Sequence, residues 1–231
     1  MNESTVKRGI RPSGLPAWDA LLGGVTPGLT CVYGPDAAAS MMVYETTKAI
    51  AAADDWSANV AVVAVGGRRR QAATALGSTS VAVVPMRHAS VVDLRGSFEA
   101  FQGGLLVLDD LTTTSRHLQL TRPSRSVADD FEELVLSAQE VGTAIIAIGR
   151  YDAAGRPMGG ALWDALRTAT IRLKPESDTP LGDFRVVTDY EAYSPVASAT
   201  HGAVSRSVCI DRSGVSLTDL PDRPVVHVSV E

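Results

Sequence analysis

Leu29-Thr30-Cys31-Val32-Tyr33-Gly34-Pro35-Asp36-Ala37-Ala38-Ala39-Ser40-Met41 reads as a short apolar strand, a stop at Gly34-Pro35 and the entry to a helix. The helix is expected over Ser40–Ala53, with Met42, Val43, Thr46, Thr47 and Ile50 roughly on one face. The same alternation continues downstream. Val60–Val65 is a second strand stopped by Gly66-Gly67, and Arg68–Leu76 a helix that Gly77 closes. Val81–Val84 is a third strand and Val91–Phe101 a helix. Leu105–Leu108 is the most emphatic apolar strand and runs straight into Asp109-Asp110. A polar loop, Thr112 to Ser126, precedes a helix over Val127–Val141 with acidic residues in its first turn, where the macrodipole favours them. Thr143–Ile148 is the next strand. Wholly apolar strands alternating with helices imply a mostly parallel sheet covered on both faces. The tail differs: Thr170–Leu173, Phe184–Thr188, Ser207–Ile210 and Val225–Val230 are strands separated by turn signals. They are expected to add antiparallel strands to the edge of the sheet.

The chain has 231 residues, enough for one sizeable α/β core and short for two. No internal repeat or low-complexity linker divides it, so residues 1–231 are expected to form one domain. Net charge is −5 and pI about 5.4, which argues against a generally basic surface that coats nucleic acid. Aromatic content is only 5%, leaving the core to Val, Ala, Leu and Ile. Cys31 and Cys209 lie in apolar runs and are expected to be buried free thiols, with a disulfide as the alternative. His88, His117, His201 and His227 have no metal-ligand spacing, and no metal site is expected. The polar start, Met1 to Arg11, lacks the apolar core of a secretory signal, and no apolar run is long enough for a membrane span. A cytoplasmic protein with no membrane partner is the expectation.

A strand, an octet beginning with glycine and then a helix is the setting of the Walker A loop, GxxxxGK[ST]. In a working loop, backbone N–H groups wrap the phosphates, the lysine neutralises their charge and the hydroxyl holds Mg²⁺. Here Gly34 matches the first glycine, Pro35 and Asp36 follow it, and Ala39 stands where the second glycine belongs. Ser40 replaces the lysine and Met41 the hydroxyl, and a thioether is a poor ligand for a hard cation. By itself this octet is also an ordinary strand-to-helix turn. Leu105–Asp109 has the form of a Walker B strand, whose carboxylate holds Mg²⁺ through water.

The segment before the loop is the most specific signal. Gly9-Ile10, then Leu15-Pro16-Ala17-Trp18-Asp19-Ala20-Leu21-Leu22-Gly23-Gly24-Val25-Thr26-Pro27-Gly28-Leu29-Thr30, is similar to the entry segment of archaeal RadB, RadA and KaiC-like proteins. The likeness extends, more weakly, to Asp109-Asp110-Leu111-Thr112-Thr113-Thr114-Ser115-Arg116, to Arg156-Pro157-Met158-Gly159-Gly160 with Thr170–Lys174, and to Ser207–Gly214. The small size and the lack of an N-terminal helical domain make the chain resemble RadB more than RadA. The resemblance implies a RecA-like P-loop core.

It also implies a catalytic glutamate near the end of the second strand, but Ala64-Val65-Gly66-Gly67-Arg68-Arg69-Arg70 holds no carboxylate. With the lysine, the Mg²⁺ hydroxyl and the glutamate all missing, ATP hydrolysis is expected to be absent and no cofactor is assigned; weak nucleotide binding stays open. Arg68, Arg69 and Arg70 form the first turn of a helix, where cations oppose the dipole. They read either as a solvated turn or as a contact to a phosphate backbone. Arg116, Arg122, Arg125, Arg150 and Arg156 fall in the two loops that the resemblance places along a DNA channel, beside the acidic Asp129, Asp130 and Asp152. The candidate DNA-binding set is Arg68, Arg69, Arg70, Arg116, Arg150 and Arg156. Trp18 reads as packing. Two functions compete. One is an accessory protein in DNA repair or recombination, partnered by a recombinase or by single-stranded DNA. The other is a KaiC-like regulatory pseudo-ATPase acting through a protein partner.

Overall fold

The structure, a computed structural model, describes residues 10–53, 59–65, 67–86, 103–113, 125–152, 158, 167–176, 178, 181–190 and 204–218. Four helices lie wholly within them, α1 (Pro16–Leu22), α2 (Asp36–Ala52), α3 (Arg68–Leu76) and α4 (Arg125–Val141), and residues 111–113 are helical as well. The described strands are β1 (Gly28–Tyr33), β2 (Val60–Val65), β3 (Ala82–Met86), β4 (Leu105–Asp109), β5 (Ala144–Gly149), β6 (Arg167–Pro175), β7 (Gly182–Tyr190), β8 (Val204–Asp211) and β9 (Gly214–Leu217). They form one sheet in the order β3-β2-β4-β5-β1-β6-β7-β8-β9. From β3 through β6 every neighbouring pair is parallel, and from β6 through β9 every pair is antiparallel. The fold is therefore mixed α/β: a parallel core flanked by helices, with antiparallel strands added at the C-terminal side.

The all-apolar strands explain the layering. β1, β4 and β5 are buried at every position, as expected of strands covered on both faces. Alternate residues feed two cores. Val32, Leu105, Val107, Ile146 and Ile148 pack with Trp18, Met42, Val43, Ile50 and Leu76 from α1, α2 and α3. Leu29, Cys31, Leu106, Leu108 and Ile145 point the other way, onto Leu134, Val135 and Ala138 of α4. Trp18 is buried as packing, its Nε1–H donating to the Gly24 carbonyl at 3.1 Å. β8 also lies against α1 and α2, as does β9. Cys31 is buried, Cys209 is half-buried and both are free thiols.

Two local expectations change, besides α4, which begins at Arg125 and not at Val127 and so holds no acidic residue in its first turn. α2 begins at Asp36 and not at Ser40. Pro35 caps it in an extended conformation, the Ala39 N–H bonds the Pro35 carbonyl at 2.9 Å, and Asp36 supplies a negative charge at the positive end of the dipole. Three successive alanines, the best helix formers, continue the first turn. The residues compared with a phosphate loop are thus mostly helix. The second change is β9, a short strand that the sequence did not signal. It is joined to β8 by a turn in which the Ser213 N–H bonds the Asp211 carboxylate at 2.7 Å. The expected helix Val91–Phe101 and strand Val225–Val230 lie outside the described residues. None of the described helices is long and apolar enough to cross a membrane.

Candidate functional site

Parallel pairing sets the carboxyl ends of β2, β4, β5, β1 and β6 along one edge of the sheet, where open α/β sheets place their ligand crevices. Ala64 of β2 sits opposite Asp109 of β4. The first residue of α3, Arg68, therefore starts only a short turn from that carboxylate. The turn after β1 brings Asp36 to the same edge.

Arg68 joins these groups. Its side chain is only 11% exposed. Nε donates to Asp109 Oδ1 at 2.6 Å, Nη1 donates to both oxygens of Asp36 at 2.7 and 2.8 Å, and Nη2 donates to Ser40 Oγ at 2.9 Å. Asp110 Oδ2 lies 3.9 Å from Nε. Every nitrogen of the guanidinium fork thus has an oxygen partner, in the planar geometry that suits arginine. Asp109 is fully buried, and its second oxygen accepts the Tyr44 hydroxyl. Burial pushes the Asp109 carboxyl above its ordinary range, against the Tyr44 and Arg68 hydrogen bonds that draw it down. The Tyr44 phenol is raised as well, first by burial and then by the charge and hydrogen bond of Asp109. Arg68 loses something to burial, but Asp109 and Asp36 outweigh that and hold its proton more tightly than usual.

Arg150, at the end of β5, completes the cluster. Its Nη2 lies 2.8 Å from Asp110 Oδ2 and 3.4 Å from Asp36 Oδ1. Asp36 accordingly bridges two arginines. Next to it an open cleft of about 640 Å³ runs between Gly34-Pro35-Asp36 and the end of β6, Arg172 to Pro175, with Arg150 and Tyr151 in its lining. The Tyr151 ring leans on Tyr33, with centroids 5.8 Å apart.

The expected site residues thus separate. Gly34, Pro35, Asp36, Ser40 and Asp109 do come to one edge, with Arg68 and Arg150 among them. Ala39 is buried in α2 and Met41 packs on the core, so neither lines a loop. A Cβ added to Gly34 would stand 2.8 Å from the Leu173 Cβ, which gives this glycine a packing reason beside any phosphate. Arg69 and Arg70 are exposed on α3, while Arg68 turns inward onto the carboxylates. Arg116 and Arg156, like the four histidines, lie outside the described residues. Sequence reasoning missed Tyr44, and it gave no site role to Asp110, Arg172 and Lys174, which stand in segments it singled out. The one available signal was the awkward placement of three arginines at a helix N-terminus. For Arg68 that placement is explained by the carboxylates in front of it.

No family model and no curated protein matches the chain. Among solved structures it is similar to a KaiC-like protein from the hyperthermophilic archaeon Pyrococcus horikoshii OT3, with 14% identity and a TM-score of 0.64. That match covers 91% of this chain and 100% of the other. Likeness at such low identity speaks for architecture alone: the chain shares the fold of that KaiC-like protein.

Proposed function

We propose that this chain is a non-hydrolysing RecA-type domain, closed from within at the phosphate position, that works by binding a regulatory protein partner. The observation that carries this reading is the Arg68 guanidinium, held between Asp109, Asp36 and Ser40 at 2.6 to 2.9 Å. Phosphoryl transfer depends on a cation and a metal placed against the nucleotide phosphates. Here the two buried carboxylates at this edge, Asp109 and Asp110, already face internal cations, Arg68 and Arg150. Removing Arg68 would leave Asp109 buried without its partner, a loss of roughly 3–5 kcal/mol. The Asp36 carboxylate also faces the seat a phosphate would take and would repel it. The donor set therefore does not fit a magnesium nucleotide, and no hydrolytic step is derived through one.

Radiolabelled ATP should show no turnover above a buffer blank at any magnesium concentration. Turnover that disappears in Asp109→Ala would overturn the proposal.

A second reading, an accessory protein in DNA repair similar to RadB, draws support from Arg69 and Arg70, which stand exposed on the first turn of α3. The pairing of Arg150 with Asp110 and Asp36 weighs against it, because those carboxylates offset the arginine's charge. Salt-dependent retention of a single-stranded oligonucleotide, lost in Arg69→Ala/Arg70→Ala, would favour this reading. Absence of binding at low salt would remove it.

A further inference from the structure

The described sheet ends in β3 on one side and β9 on the other, and the sequence treats these two edges differently. β3 carries Pro85, which has no N–H to offer a further strand. β9 is Gly214-Val215-Ser216-Leu217, with no charge and no proline, and its register with β8 runs without a bulge. Natural edge strands are blunted by devices of those three kinds. β9 has none of them, and its Leu217 is 40% exposed.

Antiparallel pairing decides which backbone groups of β9 stay free. Opposed residues alternate between pairs that exchange hydrogen bonds and pairs that do not. The Thr218 N–H donates to the Ser207 carbonyl at 3.1 Å, so position 218 is bonded to β8. Ser216, opposite Cys209, is then bonded too, while Val215 and Leu217 lie opposite Ile210 and Val208 in the pairs between. The N–H and C=O groups of Val215 and Leu217 therefore point outward, and no described residue bonds them. The strand that carries them is firmly held. Its turn is closed by the Ser213 N–H on Asp211 at 2.7 Å, α1 and α2 lie against it, and the Val215 side chain packs on the core.

We propose that β9 pairs antiparallel with the β9 of a second copy of this chain, about a two-fold axis at Ser216. Self-complementarity is what selects a second copy. With Ser216 opposite the partner's Ser216, Val215 faces the partner's Leu217, and the symmetry repeats that pair. Each pair exchanges two hydrogen bonds, so the outward donors and acceptors of Val215 and Leu217 are all used on both chains. A register centred on Val215 instead sets Leu217 against the turn at Ser213 and leaves its groups unmet. No charge on either strand opposes the pairing, and the exposed Leu217 gains an apolar neighbour on the same face of the joined sheet. The contact is small, so the association is weak and reversible. β9 lies at the other side of the sheet from Arg68, and the pairing stands independently of the proposed function.

The test is sedimentation velocity on the full chain over a concentration series up to about 1 mM, where weak contacts become visible. The 24.3 kDa chain should shift toward twice its mass, reversibly on dilution. Leu217→Pro removes an outward N–H and no bond to β8, and symmetry repeats the loss, so association should weaken by about tenfold or more. Ser216 is exposed, and Ser216→Lys sets two like charges opposite each other on the axis, which should weaken association severalfold. Ser216→Glu should do the same, and an equimolar mixture of the two should associate better than either alone. A further readout needs no variant: hydrogen exchange at the Val215 and Leu217 amides should slow as concentration rises, while that at Thr218 stays constant. A chain that remains monomeric throughout overturns the proposal and leaves the edge to a different strand. Association that Leu217→Pro and both Ser216 variants leave unchanged overturns it by placing the contact elsewhere. So does a mixture that associates no better than its components.

Discussion

A single side chain, Arg68, decides how the edge of the sheet is read. Its fork neutralises Asp109 inside the protein, so Arg68→Ala should destabilise the fold by roughly 3–5 kcal/mol in urea denaturation, the cost of an orphaned buried charge. Asp109→Asn placed on top should recover part of that loss. A double variant as unstable as Arg68→Ala alone would show that the ion pair is not the cause. Tyr44 offers a second handle. Its phenol is held protonated above the ordinary value of 10.0, through burial first and the Asp109 charge next. The raised group contributes its stability in full below about pH 10, where unfolded tyrosine keeps its proton. Above that the unfolded chain ionises before the folded one, and the contribution is lost. The stability gap between the parent and Tyr44→Phe should therefore stay flat up to about pH 10 and close above it; a gap that widens there would contradict the assignment. The identities in the octet after β1 were plain in the sequence: Gly34 without its lysine, Ser40 and Met41 in the wrong chemistry. Nothing in linear order tied Arg68 to Asp109, because that contact depends on β2 lying beside β4.

At the scale of the element, α2 carries the lesson. Its apolar face over Met42, Val43, Thr46, Thr47 and Ile50 was legible as a 3.6-residue pattern, and those residues are buried. Its start was not, because the comparison with a phosphate loop asked Pro35 to Ala39 to be irregular. Local propensity favoured helix instead: proline at the cap, an acid at the first position and alanines after it. The consequence is testable. Restoring the motif by Ala39→Gly, Ser40→Lys and Met41→Thr should not bring back ATP turnover, since Arg68 still occupies Asp109 and helix still fills the place of the loop. Measurable hydrolysis by this triple variant would mean that the three side chains alone had silenced the site. The strand β9 went unseen for a related reason: Gly214–Leu217 is short and half exposed, so it has no apolar run to announce it.

For the whole molecule, the class of fold was readable and the order of its strands was not. Apolar runs alternating with helical ones imply a parallel sheet covered on both faces, and the change in character after residue 170 implied the antiparallel strands at its side. Which strand lies beside which is a matter of pairing across the chain, and period-two patterning carries no label for a partner. The order β3-β2-β4-β5-β1-β6 gathers Asp36, Arg68, Asp109 and Arg150 from four separate stretches, so the cluster and the cleft beside it are properties of topology.

The placement of β8 and β9 against α1 and α2 has a consequence for synthesis. The helix that buries Trp18 is among the first described parts to leave the ribosome, yet two of the strands that cover this face are the last. Almost two hundred residues separate the two sides of that contact. The apolar surface of α1 and α2 therefore waits, incompletely covered, while most of the chain is made, and folding factors have their longest opportunity at the beginning of the protein and not at its end.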